Sequence, residues 1–286
     1  MFTGTINLNG QLLDLSKPKV MGIINLTPDS FYEGSRMLTE QQIAERLTQM
    51  LAEGADILDV GAYSSRPWAV DLPVEEEMRR LRKGLTVIRK EAPNAIVSVD
   101  TFRADVASMC IKEYGVAMIN DISGGKMDSN MFATIAHTGV PYIIMHMKGI
   151  PQNMQVAPHY KNVLKEVTLS LAEKVRTLHE MKVNDIIIDP GFGFGKTTTH
   201  NFELLAHLNE FGIFELPILV GLSRKSMVYK TLATTPQEAL NGTTVLHTIA
   251  LNKGANILRV HDVREAVEAI KLWQEVKNYE FNNDNK

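Results

Sequence analysis

Short runs of β-branched and apolar residues alternate along the chain with longer stretches in which apolar positions recur every three or four residues. These are the two periods that separate strand from helix. Eight such short runs lie near residues 19–25, 56–60, 95–100, 116–121, 141–147, 185–189, 217–221 and 256–261. Strands alternating with helices predict repeated βα units around a parallel sheet. Ahead of the first run, GTINLNGQLLDL alternates around Asn9-Gly10, a two-residue hairpin signal, so an N-terminal β-hairpin is expected to cap one end. Eight βα units in roughly 250 residues match a single closed (β/α)8 TIM barrel of the α/β class. No low-complexity linker divides the chain: residues 1–280 are expected to form one barrel domain, and FNNDNK at 281–286 reads as a disordered tail.

A barrel of this kind builds its active site at the C-terminal ends of its strands. In chain order those ends carry Asn25, then Asp59, Asp100, Asn120 with Asp121, Met145 with His146, Asp189, Ser223-Arg224-Lys225, and Arg259 with His261. One polar residue at a strand end is ordinarily a cap or a loop hydrogen bond. Polar groups at all eight ends describe a mouth lined with carboxylates, amides and cations. The two-residue period of a strand sends Ile23/Asn25 and Ile187/Asp189 from core to mouth and points Arg259 and His261 the same way.

The stretch DPGFGFGKT at 189–197 resembles a phosphate loop but fails both nucleotide patterns. Five residues before Gly195 stands Pro190, which has no N–H to donate, and the third glycine of a dinucleotide fingerprint would fall on Lys196. The remaining reading is a pocket wall: Asp189 ends a strand, Pro190 stops it, and the glycines let the backbone run close beneath a ligand.

Composition narrows the function classes. The 286 residues are 44% hydrophobic and 22% charged, an ordinary globular balance, and a formal charge of −3 gives no footing for nucleic acid. No Lys/Arg-rich run suggests a membrane surface, and no secretory leader or apolar run of about 18 residues is found, so the expectation is a soluble, cytoplasmic protein. The single cysteine, Cys110, sits in an apolar helical pattern and reads as a buried thiol. The run EEEMRRLRK reads as a solvated helix face with Glu75/Arg79 and Glu76/Arg80 pairs.

MGIINLTPDSF, SSRP, VSVDT, INDISGG, DPGFGFGKT, LSRKSM and RVHDV, in this order from about residue 19 to about 270, resemble the successive motifs of the dihydropteroate synthase family. The resemblance implies a transferase of folate synthesis that joins 6-hydroxymethyl-7,8-dihydropterin diphosphate to p-aminobenzoate and expels pyrophosphate. It implies that Asp189, Asn120, Asp100, Lys225 and Met145 meet the pterin, with Arg259 lying on its face. Arg259 and His261 would then supply positive charge to the diphosphate, with a hydroxyl donor from Ser65. Phe31, Pro67 and Ser223 would frame the aminobenzoate ring, and Arg66 would close over it. It further implies Mg²⁺ on the diphosphate, anchored by Asn25, a homodimer, and inhibition by sulfonamides. Catalytic weight falls on Asp100, Lys225, Arg259 and His261. Where the family commonly has Gly-Gly-Glu-Ser-Thr-Arg-Pro-Gly, this chain reads Gly61-Ala-Tyr-Ser-Ser-Arg-Pro-Trp68, so Ala62, Tyr63 and Trp68 depart from the pattern in the second loop.

Three other readings compete. A pterin-binding methyltransferase barrel serving a corrinoid would share the aspartates and asparagine but expels no diphosphate. A metal-dependent hydrolase barrel would want His-x-His at the end of the first barrel strand, where Ile-Ile-Asn stands. A non-catalytic pterin-binding paralogue is separated from an enzyme by turnover.

Overall fold

The computed structural model describes residues 2, 4–27, 39–64 and 71–283, the last four by their backbone alone. Phe31, Ser65, Arg66, Pro67 and Trp68, named above, lie outside the described residues.

The chain opens with an antiparallel hairpin, β1 (Thr5–Leu8) and β2 (Gln11–Asp14), turning at Asn9 and Gly10 with φ of 52° and 94°. Eight parallel strands follow: β3 (Lys19–Asn25), β4 (Ile57–Gly61), β5 (Val97–Asp100), β6 (Met118–Asp121), β7 (Tyr142–Met145), β8 (Ile186–Asp189), β9 (Leu219–Val220) and β10 (Ile257–Val260). They pair in the order β8-β7-β6-β5-β4-β3-β10-β9, and a parallel bridge from Ile188 to Ile218 joins the two ends into a barrel. The helices between them are α1 (Glu40–Glu53), α2 (Val74–Glu91), α3 (Ala104–Tyr114), α4 (Met131–Thr138), α5 (Val163–Glu180), α6 (Thr198–Ala206), α7 (Ser226–Thr231) and α8 (Leu240–Asn252), with α9 (Val263–Asn283) last. Every run expected to form a strand forms one. The seventh is the shortest, because Pro217 has no N–H for the ladder and Ile218 turns to Asn256, whose Oδ1 accepts its N–H at 3.1 Å.

The hairpin closes the end of the barrel opposite the polar mouth. Ile6, Leu8, Leu13 and Leu15 pack on the lowest inward-facing side chains, Met21, Ile57, Met118, Ile143, Ile187, Leu219 and Ile257. The hairpin is pinned by Asp185 Oδ1, which accepts from Asn7 N at 2.9 Å, and by Asn256 Nδ2, which donates to Phe2 O at 2.8 Å. Leu15 is fully buried there. Leu15→Ala is therefore expected to destabilise the fold by about 2–5 kcal/mol in urea unfolding while leaving the Michaelis constants unchanged, because the cavity opens at the end remote from the polar groups.

Three expectations need correction. The last helix runs through Asn283, three residues into the segment expected to be disordered, because a nucleated helix gains one backbone hydrogen bond for each residue it adds. On α2 the Arg79 guanidinium turns to Glu76 at 2.6 Å, and Arg80 also pairs with Glu76 at 2.7 Å, so one carboxylate serves both cations. Glu77, in the same charged run, is not solvated but fully buried, its oxygens accepting from Thr101 Oγ1 and Arg103 Nη1, each at 2.7 Å.

Candidate active site

Most barrel strands carry apolar inward residues low and polar ones high. Met21, Ile57, Met118, Ile143, Ile187 and Ile257 lie in the lower layer; the next inward positions on β4, β6, β7, β8 and β10 are Asp59, Asn120, Met145, Asp189 and Arg259, Asp100 stands above Ser98 on β5, and Asn25 stands two inward positions above Met21.

Arg259 is the centre of one cluster. Its Nε donates to Asp59 Oδ2 at 2.6 Å and its Nη2 to Asp100 Oδ2 at 2.7 Å, while Asn120 Nδ2 donates to the same Asp59 oxygen at 2.9 Å. One guanidinium thus bridges two carboxylates from neighbouring strands, β4 and β5, which a lysine point charge could not do with the same geometry. Asp59 is fully buried and its Oδ1 has no hydrogen-bond partner among the described residues. Burial pushes Asp100 up to about 7 against the pull of Arg259, with the nearby charge of Asp59 adding to the rise.

A second cluster faces it. Asp189 accepts the Gly191 N–H at 2.7 Å through Oδ1, and burial raises its carboxyl above the ordinary range despite the nearby Lys225. Burial brings Lys225 down to about 8, with Asp189 opposing the fall, so the ammonium is still charged at neutral pH. Lys225 donates to Phe192 O and stands 5.0 Å from the Phe194 ring. Two of its three protons remain for a ligand.

The third group lies at the rim. The His261 N–H donates to Ser223 Oγ at 3.2 Å, and the same hydroxyl lies 3.1 Å from His261 Nδ1. Burial and the charge of Arg259 hold His261 down to about 4. The expected cation at this position is therefore a neutral imidazole. Arg224 takes no part in the mouth: it grips Asp262 through two bonds of 2.8 and 2.9 Å and ties the loops after β9 and β10 together.

Two glycines of the 189–197 loop also allow it to pack closely on a neighbouring loop. Gly191 and Gly195 have φ of 74° and 63°, and a Cβ on either would stand 1.9 Å from His146 O or 2.3 Å from Lys148 O. They let this loop lie against the backbone of the loop after β7. Lys196, to which the sequence assigned no role, is the buried rivet of that contact, its Nζ donating to Gly191 O at 2.8 Å and Phe194 O at 3.1 Å and standing 3.0 Å from His146 Nδ1. Met145 sits in an apolar cluster with Phe102, Ile122, Met147 and Met154 beside the mouth. Asp59 and Lys196 are the residues that sequence reasoning left without a function. The signal for Asp59 was its position, at the end of a strand whose neighbour ends in Asp100.

Residues 21–261 match the model of the pterin binding enzyme family. The chain is 41% identical over 265 residues to the dihydropteroate synthase of Escherichia coli strain K12, covering 92% of this chain and 93% of that relative. The chain belongs to this family, among its dihydropteroate synthases. The structure of the Yersinia pestis dihydropteroate synthase with a sulfonamide drug complex matches with a TM-score of 0.89 at 38% identity, over 96% of this chain and 99% of the other. That of Xanthomonas albilineans in complex with 7,8-dihydropteroate matches with a TM-score of 0.82 at 33% identity, over 96% and 98%. These relatives favour neither the corrinoid methyltransferase reading nor the non-catalytic one. Asp59, Asp100, Asn120, Asp189, Lys225 and Arg259 fall within the matched span, and His261 is its last residue.

Proposed function

We propose that Asp189, Asn120 and Lys225 hold the pterin of 6-hydroxymethyl-7,8-dihydropterin diphosphate, and that Arg259, His261 and Asn25 face its diphosphate while p-aminobenzoate enters from the rim. The observation that carries this reading is the buried Asp189, within the electrostatic reach of the half-buried Lys225, in the same mouth as an arginine held by two carboxylates. The pterin's lactam edge presents an N–H and an amino group side by side, a match for a carboxylate whose geometry Gly191 already fixes. One N–H of Asn120 is committed to Asp59, so its carbonyl and second N–H are left for the ring. Met145 supplies an apolar surface.

No general base is required. The carbon–oxygen bond to diphosphate breaks with its electron pair leaving on the diphosphate, and the electron-rich pterin delocalises the positive charge. The aryl amine then forms the carbon–nitrogen bond and loses a proton to water. The protein's share is positioning and charge stabilisation, with Arg259 and His261 beside the leaving group. By the resemblance, Phe31, Pro67 and Ser223 frame the aminobenzoate, Arg66 closes over it, Ser65 adds a hydroxyl donor to the diphosphate, and sulfonamides compete for the aminobenzoate's place.

The donor set suits Mg²⁺. No three His, Cys, Asp or Glu side chains gather as a metal cage among the described residues, whereas Asn25 offers a half-buried amide oxygen at the end of β3. One neutral oxygen, with water and diphosphate completing the shell, is an ordinary arrangement for this ion. When bound it would neutralise charge on the departing group. The test follows dihydropteroate formation from both substrates with Mg²⁺ present or chelated. Chelation is expected to remove most turnover while a diphosphate-free pterin binds unchanged by calorimetry; equal loss of both would make the ion structural, and no product at all would refute the synthase reading.

The reading extends to a cytoplasmic homodimer. Cys110 is free and buried, its thiol pushed up to about 12 by burial, as suits a protein without disulfides. Val245 and Ile249 on α8 and Leu272 and Val276 on α9 are exposed apolar residues that a second copy would cover.

A further inference from the structure

Lys196 is only 3% exposed, and no carboxylate pairs with it among the described residues. A lysine buried in this way costs stability unless backbone oxygens replace the water it has lost. Three do: beside Gly191 O and Phe194 O, its Nζ donates to His146 O at 3.2 Å. Burial presses Lys196 well below its ordinary pKa, with the charge of Asp189 opposing the fall. The acceptors belong to two strand ends. His146 directly follows Met145 at the end of β7, and Gly191 stands two residues beyond Asp189 at the end of β8. The strands are already paired there, His146 N–H donating to Asp189 O at 3.1 Å, and Lys196 joins the peptides just past that last bond.

Gly191 is the link to the carboxylate. Its N–H donates to Asp189 Oδ1 at 2.7 Å, and its carbonyl accepts from Lys196 Nζ at 2.8 Å. At φ of 74° and without a Cβ, the residue could swing its two peptides over a wide range, so a bond that fixes the carbonyl also fixes the direction of the N–H. The aim of the Asp189 carboxylate therefore depends on the buried Nζ behind it.

We propose that Lys196 is a positioning residue for the pterin, acting through the Gly191 peptide to hold the Asp189 carboxylate toward the ring. This rests on the assignment of Asp189 to the pterin. Without the Nζ, three carbonyls lose a donor and the segment after Asp189 gains freedom that pterin binding must then remove, so affinity for the ring falls. Arg259 and His261 keep their own partners, Asp59 and Asp100 for the one and Ser223 for the other, so the groups beside the diphosphate stay as they are.

The experiment titrates 6-hydroxymethyl-7,8-dihydropterin calorimetrically into Lys196→Met, Asp189→Asn and the double variant, and follows Lys196→Met in steady-state kinetics with each substrate varied. Methionine is close to lysine in shape and is buried at no cost in charge, and Gly191 O keeps the Phe194 N–H at 3.2 Å, so the variant can fold. Lys196→Gln, which keeps amide donors on a side chain one atom shorter, is carried beside it and is read in its place if the methionine variant does not fold. Lys196→Met is expected to weaken the pterin by about two- to twelve-fold, the equivalent of one hydrogen bond, with glutamine in between. The KM for pterin diphosphate should rise with it, while kcat and the aminobenzoate KM stay within about two-fold, as for an interaction present equally in ground and transition states. In the Asp189→Asn background the same substitution should cost less than about two-fold, because the carboxylate it acts through is gone. An unchanged affinity, a factor in that background equal to the one in the parent protein, or equal rises of both KM values would overturn the proposal. If Asp189→Asn alone leaves the pterin bound as tightly as before, the pterin reading of the site fails; if Asp189→Asn weakens the pterin and Lys196→Met does not, only the role of Lys196 fails.

Discussion

Replacing Arg259 with methionine should abolish turnover and lower stability by about 3–5 kcal/mol at pH 8, the range for breaking a buried ion pair from one side. The guanidinium is the partner of two carboxylates at 2.6 and 2.7 Å, and Asp59 is fully buried with one oxygen already without a partner among the described residues. Removing the cation strands both charges. The pH dependence carries the sign. Asp100 is already pushed up to about 7 by burial with Arg259 pulling the other way, so loss of Arg259 raises it further. A carboxyl whose folded pKa lies above its unfolded one favours the fold in its protonated form: that stability is complete below the unfolded value and is lost as pH rises through the folded value. The deficit of Arg259→Met should accordingly be full at pH 8 and shrink toward pH 5, as read by urea unfolding of both proteins at the two pH values. A deficit that is constant or larger at pH 5 would remove the carboxylates from the explanation. Lysine at 259 keeps the charge without the fork, so it should restore stability better than turnover.

Asp189→Asn should weaken pterin binding by about 10- to 150-fold, the equivalent of roughly 1.5–3 kcal/mol for a hydrogen bond to a charged group in a buried site. The carboxylate is oriented by the Gly191 N–H and faces the Lys225 ammonium. An amide at this place can keep the contact with Gly191 only by turning its oxygen that way, which aims its NH₂ at the pterin's own donors. Fold stability should change little or improve, since burial disfavours the ionised group. Calorimetric titration with a diphosphate-free pterin measures the loss; unchanged affinity in a folded variant would take Asp189 out of the site.

Much of the architecture was legible in the sequence because it depends on local periods. The alternation in IIID ending at Asp189, or in GIIN ending at Asn25, puts the polar residue at the mouth wherever the strand is placed, and eight such strands leave few ways to close. The hairpin was equally plain from Asn9-Gly10, which tolerate the positive φ that its turn requires. The length of β9 was not, since the Ile218 N–H goes to the side chain of Asn256, 38 residues away, although Ile218 still bridges to Ile188. Glu77 looked solvated within a charged run because nothing nearby in sequence reveals Thr101 and Arg103, which satisfy it from another loop.

By itself, the sequence determined the α/β class, the barrel, the hairpin and the roster of polar groups at the strand ends, because each follows from side-chain periodicity and turn chemistry over a few residues. Only the tertiary structure decided what those groups are to one another. Arg259 is bound to Asp59 and Asp100 across 200 and 159 residues of chain, His261 is neutral because burial and Arg259 act on it together, and Gly191 and Gly195 leave room for the backbone of a neighbouring loop. Charge state and hydrogen-bond partner are set by desolvation and by distances between strands, and neither quantity exists until the barrel has closed.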